Sequence, residues 1–136
     1  MNISVLHILK KIPRYSRDIF TIFYYKIISF FYKNKNNFRD AWLICERGNE
    51  AKDNGYVFFK YMRTAYPDKK VYYLIDSTQE QDFERIQKLG NIIEYKSFEH
   101  KMAVLYASHF ISTHVGYIMP WSCLLYKKIF AYKKHL

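Results

Sequence analysis

The stretch ERGNEAKDNGY, residues 46–56, sets two cations, Arg47 and Lys52, among amide and carboxylate side chains, directly behind the apolar run AWLIC. If a helix begins near Gly55, Asp53 or Asn54 is placed to cap it, and Arg47 and Lys52 stand beside the exposed amides of its first turn. Such a set of donors suits phosphate or another anion, with Gly55 allowing close approach. The competing reading is a solvated loop ahead of a capped helix. A second group, ISTHVGY, puts Ser112, Thr113 and His114 in a row. A titratable imidazole beside two hydroxyls can bind phosphate or relay a proton, or simply serve as a hydrogen-bonded strand end. No GxGxxG or P-loop occurs, so no dinucleotide or nucleoside triphosphate cradle is indicated. His7, His100, His109 and His135 pair with no carboxylate or cysteine in a way that suggests a metal site, and no metal or cofactor is expected. Cys45 and Cys123 lie in apolar runs without ligand spacing, and read as reduced core thiols of a cytosolic protein.

These groups need elements to position them. Four apolar runs have strand length: AWLIC (41–45), VYYLI (71–75), NIIEY (91–95) and HFIST (109–113). The first two are continuously apolar or aromatic, as strands covered on both faces must be, whereas the mixed NIIEY suits an edge. Helical patterns separate them: Gly55 to Tyr66, stopped by Pro67; Gln79 to Leu89, stopped by Gly90; and Phe98 to Ala107, started by Ser97. Ser77 with Glu80, or Thr78 with Gln81, offers a capping box for the second. Strands alternating with helices predict an α/β fold with a Rossmann-like parallel sheet. Ligands of such sheets bind beyond the carboxyl ends of the strands, where both polar groups would emerge.

The chain has 136 residues and a net charge of +10. Up to residue 40 there are eight basic side chains against Asp18 and Asp40; the other 96 residues carry 14 against 10. The run IFTIFYYKIISFFY, residues 19–32, is too short to span a bilayer and is interrupted by Lys26. On a helix, Asp18, Thr21, Tyr25, Ser29 and Lys33 share one stripe and Phe20, Phe23, Ile27 and Phe31 the opposite face, with Ile22 and Tyr32 as misfits. A wide aromatic face with basic flanks is what a helix lying in an anionic membrane interface needs. Packing of that face on this domain, or on a further one, is the alternative. KNKNN, residues 33–37, reads as a polar linker, dividing a membrane-associating segment at 1–38 from an α/β lobe at 39–136. Zinc spacing, RNP-like motifs and Gly-rich basic tracts are missing, so nucleic acid is not an expected partner.

The block ERGNEAKDNGYVFFKY and the segment ISTH, within WLICERGNEAKDNGYVFFKYMR, VYYLID and KLGNIIEYKSFEHKMAVLYASHFISTHVGYIMPW, resemble the amino-terminal part of the CDP-glycerol glycerophosphotransferase family. The resemblance runs from Ala41 to Leu136. It implies a partial acceptor-side lobe of a two-lobed, glycosyltransferase-B-like fold, whose other lobe binds CDP-glycerol. It further implies transfer of glycerol phosphate to a lipid-linked polyol-phosphate acceptor, in teichoic acid or capsule synthesis, by a peripheral enzyme at the cytoplasmic face of the bacterial membrane. Arg47, Asn49, Asp53, Asn54, Ser112, Thr113 and His114 are then the candidate acceptor- or phosphate-binding residues, and Phe20, Phe23, Ile27 and Phe31 the membrane-binding ones. The family's His-Gly motif and donor lobe are not found before YKKHL, so this chain is expected to be inactive alone, with no residue assigned as catalytic base. A non-catalytic, membrane-bound α/β module that docks a partner protein is the other function compatible with the sequence.

Overall fold

A computed structural model of the chain describes residues 3–114, 116–120 and 134–135. A long helix α1 (Ile3–Phe31) and one helical turn α2 (Lys35–Phe38) precede the sheet. There follow β1 (Trp42–Cys45), α3 (Asn54–Ala65), β2 (Val71–Ile75), α4 (Glu80–Gln87), β3 (Ile92–Glu94), α5 (Phe98–Tyr106), β4 (His109–Ser112) and a two-residue β5 (Lys134–His135). All strand pairs are parallel, in the order β3-β2-β1-β4-β5. The fold is therefore the expected Rossmann-like α/β layer. NIIEY supplies an edge strand, and Cys123 lies outside the described residues.

Alternation along the strands sorts their side chains onto two faces. Leu43, Cys45, Leu74, Ile93 and Phe110 pack with Met102, Ala103 and Val104 of α5 and with Ile22 and Phe38. Ile44, Val71, Tyr73 and Ile75 pack with Phe59 and Met62 of α3 and Ile86 of α4. Helices thus cover both faces, which is why β1 and β2 are apolar along nearly their whole length.

Chain order and strand order part company at one place. From β1 the chain moves outward to β2 and β3, then returns through α5 to place β4 on the other side of β1. The gap between the carboxyl ends of β1 and β4 is the topological switch point, where open α/β sheets form their ligand crevice. Register puts Cys45 opposite Ser112, so the loops leaving these two strands start level with one another.

Three local expectations are corrected. The capping box of α4 does not form: Gln79 occupies the cap position without a side-chain bond. Asp76 takes the Thr78 hydroxyl and amide instead, at 2.6 and 2.9 Å, while the Ser77 amide donates to the Glu94 carboxylate. A compact turn closed by Asp76 and a cross-loop acceptor outcompete the local box. The polar linker contains the turn α2, and Phe38 at its end is 1% exposed in the core. Finally, the two misfits face the protein: Ile22 of α1 is buried, and Tyr32, which lies just past the end of α1, stacks on Phe38 with ring centroids 6.2 Å apart.

Candidate functional site at the switch point

The loop from Glu46 to Asp53 owes its shape to a carboxylate that the sequence did not single out. Glu46 is 1% exposed, and its two oxygens accept from the amides of Lys52, Asp53 and Tyr56 at 3.2, 3.0 and 2.8 Å. An anion at the start of α3 is favourable because those amides lack helical partners and the helix dipole points its positive end there. Asp53 holds the cap position, yet its side chain accepts only from the neighbouring Asn54 amide, at 2.9 Å. Gly55 fits for the same reason. A Cβ on it would come within 2.8 Å of Glu46 Cγ, so the close approach it permits is that of Glu46 rather than of a ligand. The first-turn amides expected to meet an external anion are thus largely taken by the protein's own carboxylates.

The rest of the loop is fastened at each step. Gly48 has φ of +82°, and a Cβ there would stand 2.5 Å from the Tyr95 ring, so both conformation and space call for glycine. Its carbonyl accepts from the Asp76 amide at 2.7 Å. Ala51 is buried, donating its amide to Asp82 and accepting from Arg85. The Tyr73 hydroxyl donates to the Glu50 carbonyl at 2.8 Å. Burial pushes the pKa of that phenol up, which keeps it a donor.

What remains outward is Arg47, Asn49, Lys52, Asp53 and Asn54. Arg47 reaches across the switch point to His114, its Nε and Nη2 lying 3.3 and 3.2 Å from His114 Nε2. Since a guanidinium can only donate, Nε2 is the acceptor and the ring carries its hydrogen on Nδ1, directed at Thr113 Oγ1 3.1 Å away. Ser112 donates its hydroxyl to the His114 carbonyl at 2.8 Å and accepts from the His114 amide. The structure therefore joins Arg47, Ser112, Thr113 and His114 in one chain of hydrogen bonds. Asn49 and Asp53 stay on the loop and Asn54 opens α3, with no hydrogen bond to that chain among the described residues. Glu50 faces both cations, 3.6 Å from Arg47 and 3.4 Å from Lys52. These partly exposed pairs orient side chains more than they stabilise the fold.

A buried histidine completes the floor. His100 is fully buried; its Nδ1 accepts from the Lys96 amide at 3.0 Å, so Nε2 carries the hydrogen and donates to the Ile118 carbonyl at 2.8 Å. Burial, its largest cause, lowers its pKa to about 4. Tyr95 donates its hydroxyl to the neighbouring Tyr117 carbonyl at 2.6 Å, its own pKa raised by burial to about 12. Cys45 lies beneath, 3.9 Å from the same carbonyl, its thiol pushed up by burial to about 12 and hence unreactive. Together these residues hold 117–118 against the ends of β1 and β3. Neither Glu46 nor His100 carries a sequence signal of its role. Glu46 looks like one more loop charge, and His100 like one more residue of an amphipathic helix.

Among the described residues no group of His, Cys, Asp and Glu could hold a metal ion, and no helix is long and apolar enough to cross a membrane. The residues named for membrane contact stand open: Phe20, Phe23, Ile27 and Phe31 are 73%, 64%, 47% and 83% exposed. The polar stripe of α1 is the one that packs inward. Ser29 is buried against Tyr106, whose hydroxyl donates to the Ser29 carbonyl at 2.7 Å, and Lys101 donates to the Tyr25 hydroxyl.

Comparison with known proteins adds the following. Residues 24–127 match the family described as CDP-Glycerol:Poly(glycerophosphate) glycerophosphotransferase. A stretch of 78 residues is 38% identical to the Minor teichoic acid biosynthesis protein GgaB of Bacillus subtilis (strain 168). That stretch makes up 57% of this chain and 9% of that protein, so the chain matches only a small part of its relative. No solved structure matches.

Proposed function

Because this chain belongs to the CDP-glycerol:poly(glycerophosphate) glycerophosphotransferase family, we propose that it forms acceptor-side machinery of a teichoic acid biosynthesis transferase. In that reading the complete enzyme moves glycerol phosphate from CDP-glycerol to a lipid-linked polyol-phosphate acceptor, and the crevice between β1 and β4 receives a phosphate of the acceptor chain. The observation that carries the reading is the Arg47–His114 contact. It unites the two sequence blocks that carry the family likeness, at the point of the sheet where a crevice is expected. The guanidinium has five N–H donors, more than its contacts to His114 and Glu50 use, and its half exposure leaves the others open to a ligand. A phosphate there gains charge-assisted bonds from Arg47 and further donors from Lys52 and Thr113. The part this chain plays in that transfer is to position the phosphate.

In the same reading the enzyme rests on the anionic inner surface of the membrane, where its acceptor is anchored, and the exposed aromatic face of α1 supports this. Apolar burial by Phe20, Phe23, Ile27 and Phe31 provides the hold, and basic neighbours the preference for anionic lipid.

Titration of the isotope-labelled chain with a short glycerol-phosphate oligomer tests the site. Amide shifts should centre on Arg47, Thr113 and His114, and Arg47→Ala should weaken binding at least tenfold, about 1.4 kcal/mol, with the melting temperature nearly unchanged. Shifts elsewhere, or an Arg47→Ala chain that binds equally well, would remove this loop from the acceptor site.

A further inference from the structure

Beside the aromatic face of α1 lies a cavity of about 250 Å³ lined by Lys26, Ser29, Phe30, Lys35, Arg39, Leu105 and Tyr106. Three of the lining side chains are cationic and none is acidic. Ser29 and Tyr106 bond to each other, and Lys35 donates to the Phe30 carbonyl at 2.8 Å, closing the carboxyl end of α1. Among the described residues, Lys26 and Arg39 form no ion pair with a carboxylate. Two long cations thus converge on a small hollow with their charge uncompensated inside the protein, which favours an anionic occupant.

The position of the cavity indicates which anion. Phe30, on its rim, is 67% exposed, and Phe23, Lys26, Ile27 and Phe30 follow the spacing of one helical stripe. Hence the opening borders the surface proposed to enter the membrane. A soluble phosphate gains nothing from that neighbourhood, whereas the phosphate of a lipid would sit at the depth where such a helix rests, with its acyl chains alongside Phe23, Ile27 and Phe30.

We propose that this cavity is a headgroup site for an anionic phospholipid, with Lys26 and Arg39 clasping the lipid phosphate and Lys35 closing the back. The proposal rests on the membrane reading of α1 and deepens it: the helix would select anionic lipid through a built pocket rather than by diffuse charge alone.

The test uses the full chain and has two arms. In the first, the isotope-labelled chain is titrated with dihexanoylphosphatidylglycerol below its micelle concentration, and separately with dihexanoylphosphatidylcholine and inorganic phosphate. Saturable shifts at Lys26, Ser29, Lys35, Arg39 and Tyr106 are expected with the first, at least tenfold weaker with the other two. Equal response to phosphatidylcholine would remove the selectivity for anions, equal response to inorganic phosphate would make the pocket a free-phosphate site, and no response at these residues would end the proposal. In the second arm, Lys26→Gln with Arg39→Gln is compared with Lys60→Gln with Lys88→Gln, which removes the same charge from α3 and the end of α4. Partition to phosphatidylglycerol-containing vesicles should drop at least tenfold in the first pair and under threefold in the second, with binding to pure phosphatidylcholine unchanged. An equal drop in both pairs would mean diffuse electrostatics. Lys35 is left intact because it closes the helix end. Replacing Phe20, Phe23, Ile27 and Phe31 by Ser tests the membrane reading itself, so its failure is distinguishable from that of the pocket, which the soluble-lipid arm decides alone.

Discussion

Between Glu46 and Tyr56 most polar groups are engaged within the protein, whereas on the outer face of α1 the largest apolar side chains stand open. Glu46, Ala51 and the Glu50 carbonyl all have internal partners, and Gly48 and Gly55 leave no room for a Cβ. On α1, Phe20 and Phe31 are 73% and 83% exposed while Asp18 and Ser29 are buried. Polarity therefore does not distinguish structural from interacting residues in this chain. A charged loop is built into the fold through Glu46, Ala51 and the Glu50 carbonyl, and of its outward side chains Arg47 is the one that reaches His114. An aromatic helix face lies outside the fold and is available to a surface of another kind.

The comparison would be broken most severely at Glu46. Glu46→Ala orphans three amides at the start of α3 and should lower stability by at least about 3 kcal/mol in chemical denaturation. A loss below about 1 kcal/mol would show that the loop is held by other means.

Acid should loosen the same region through His100. With its folded pKa lowered to about 4 from 6.5, the unfolded chain takes up the proton first as pH falls. This contribution is flat above about pH 6.5, and stability is lost between there and pH 4, by up to about 3 kcal/mol. Carboxylates titrate in part of that window, so the measurement is the difference in pH slope between the native chain and His100→Gln. Identical slopes would mean that His100 is not held neutral.

A smaller effect sharpens the picture of the loop. Gly55→Ala should cost about 1 to 3 kcal/mol, because Glu46 Cγ, held by three hydrogen bonds on its carboxylate, cannot easily withdraw. In a Glu46→Ala background the same change should cost almost nothing, since the obstacle is gone. Additive costs in the double-mutant cycle would refute the clash.

The smallest stability effect is expected on α1. Replacing Phe20, Phe23, Ile27 and Phe31 by Ser should shift unfolding by no more than about 1 kcal/mol, yet abolish sedimentation with anionic vesicles. A large loss of stability would mean that this face packs within the protein after all.

Much of this was legible in the chain. The four principal strands and the helices between them fall within a residue or two of where periodicity puts them, and Ser97 caps α5 by accepting the His100 amide at 3.0 Å. The cap of α4 departs from expectation because Ser77 and Glu80 meet a spacing rule, while the acceptor that wins, Asp76, needs only an adjacent turn. The candidate loop was legible as a loop with Arg47 at its heart. The carboxylate that shapes it was not, because Glu46 acts on amides six to ten residues away only once the chain folds back.

The sequence alone determined the element types and the two faces of α1, because burial repeats with the period of a strand or a helix and that period is written locally. It also determined that Arg47 and His114 would each leave the carboxyl end of a strand. Only the tertiary structure decided that those ends are neighbours, that Arg47 and His114, 67 positions apart, share a hydrogen bond, and that the polar stripe of α1 turns inward. Strand order and the facing of one element toward another are settled by how whole layers pack and which buried polar groups find partners, and neither is encoded within a window of a few residues.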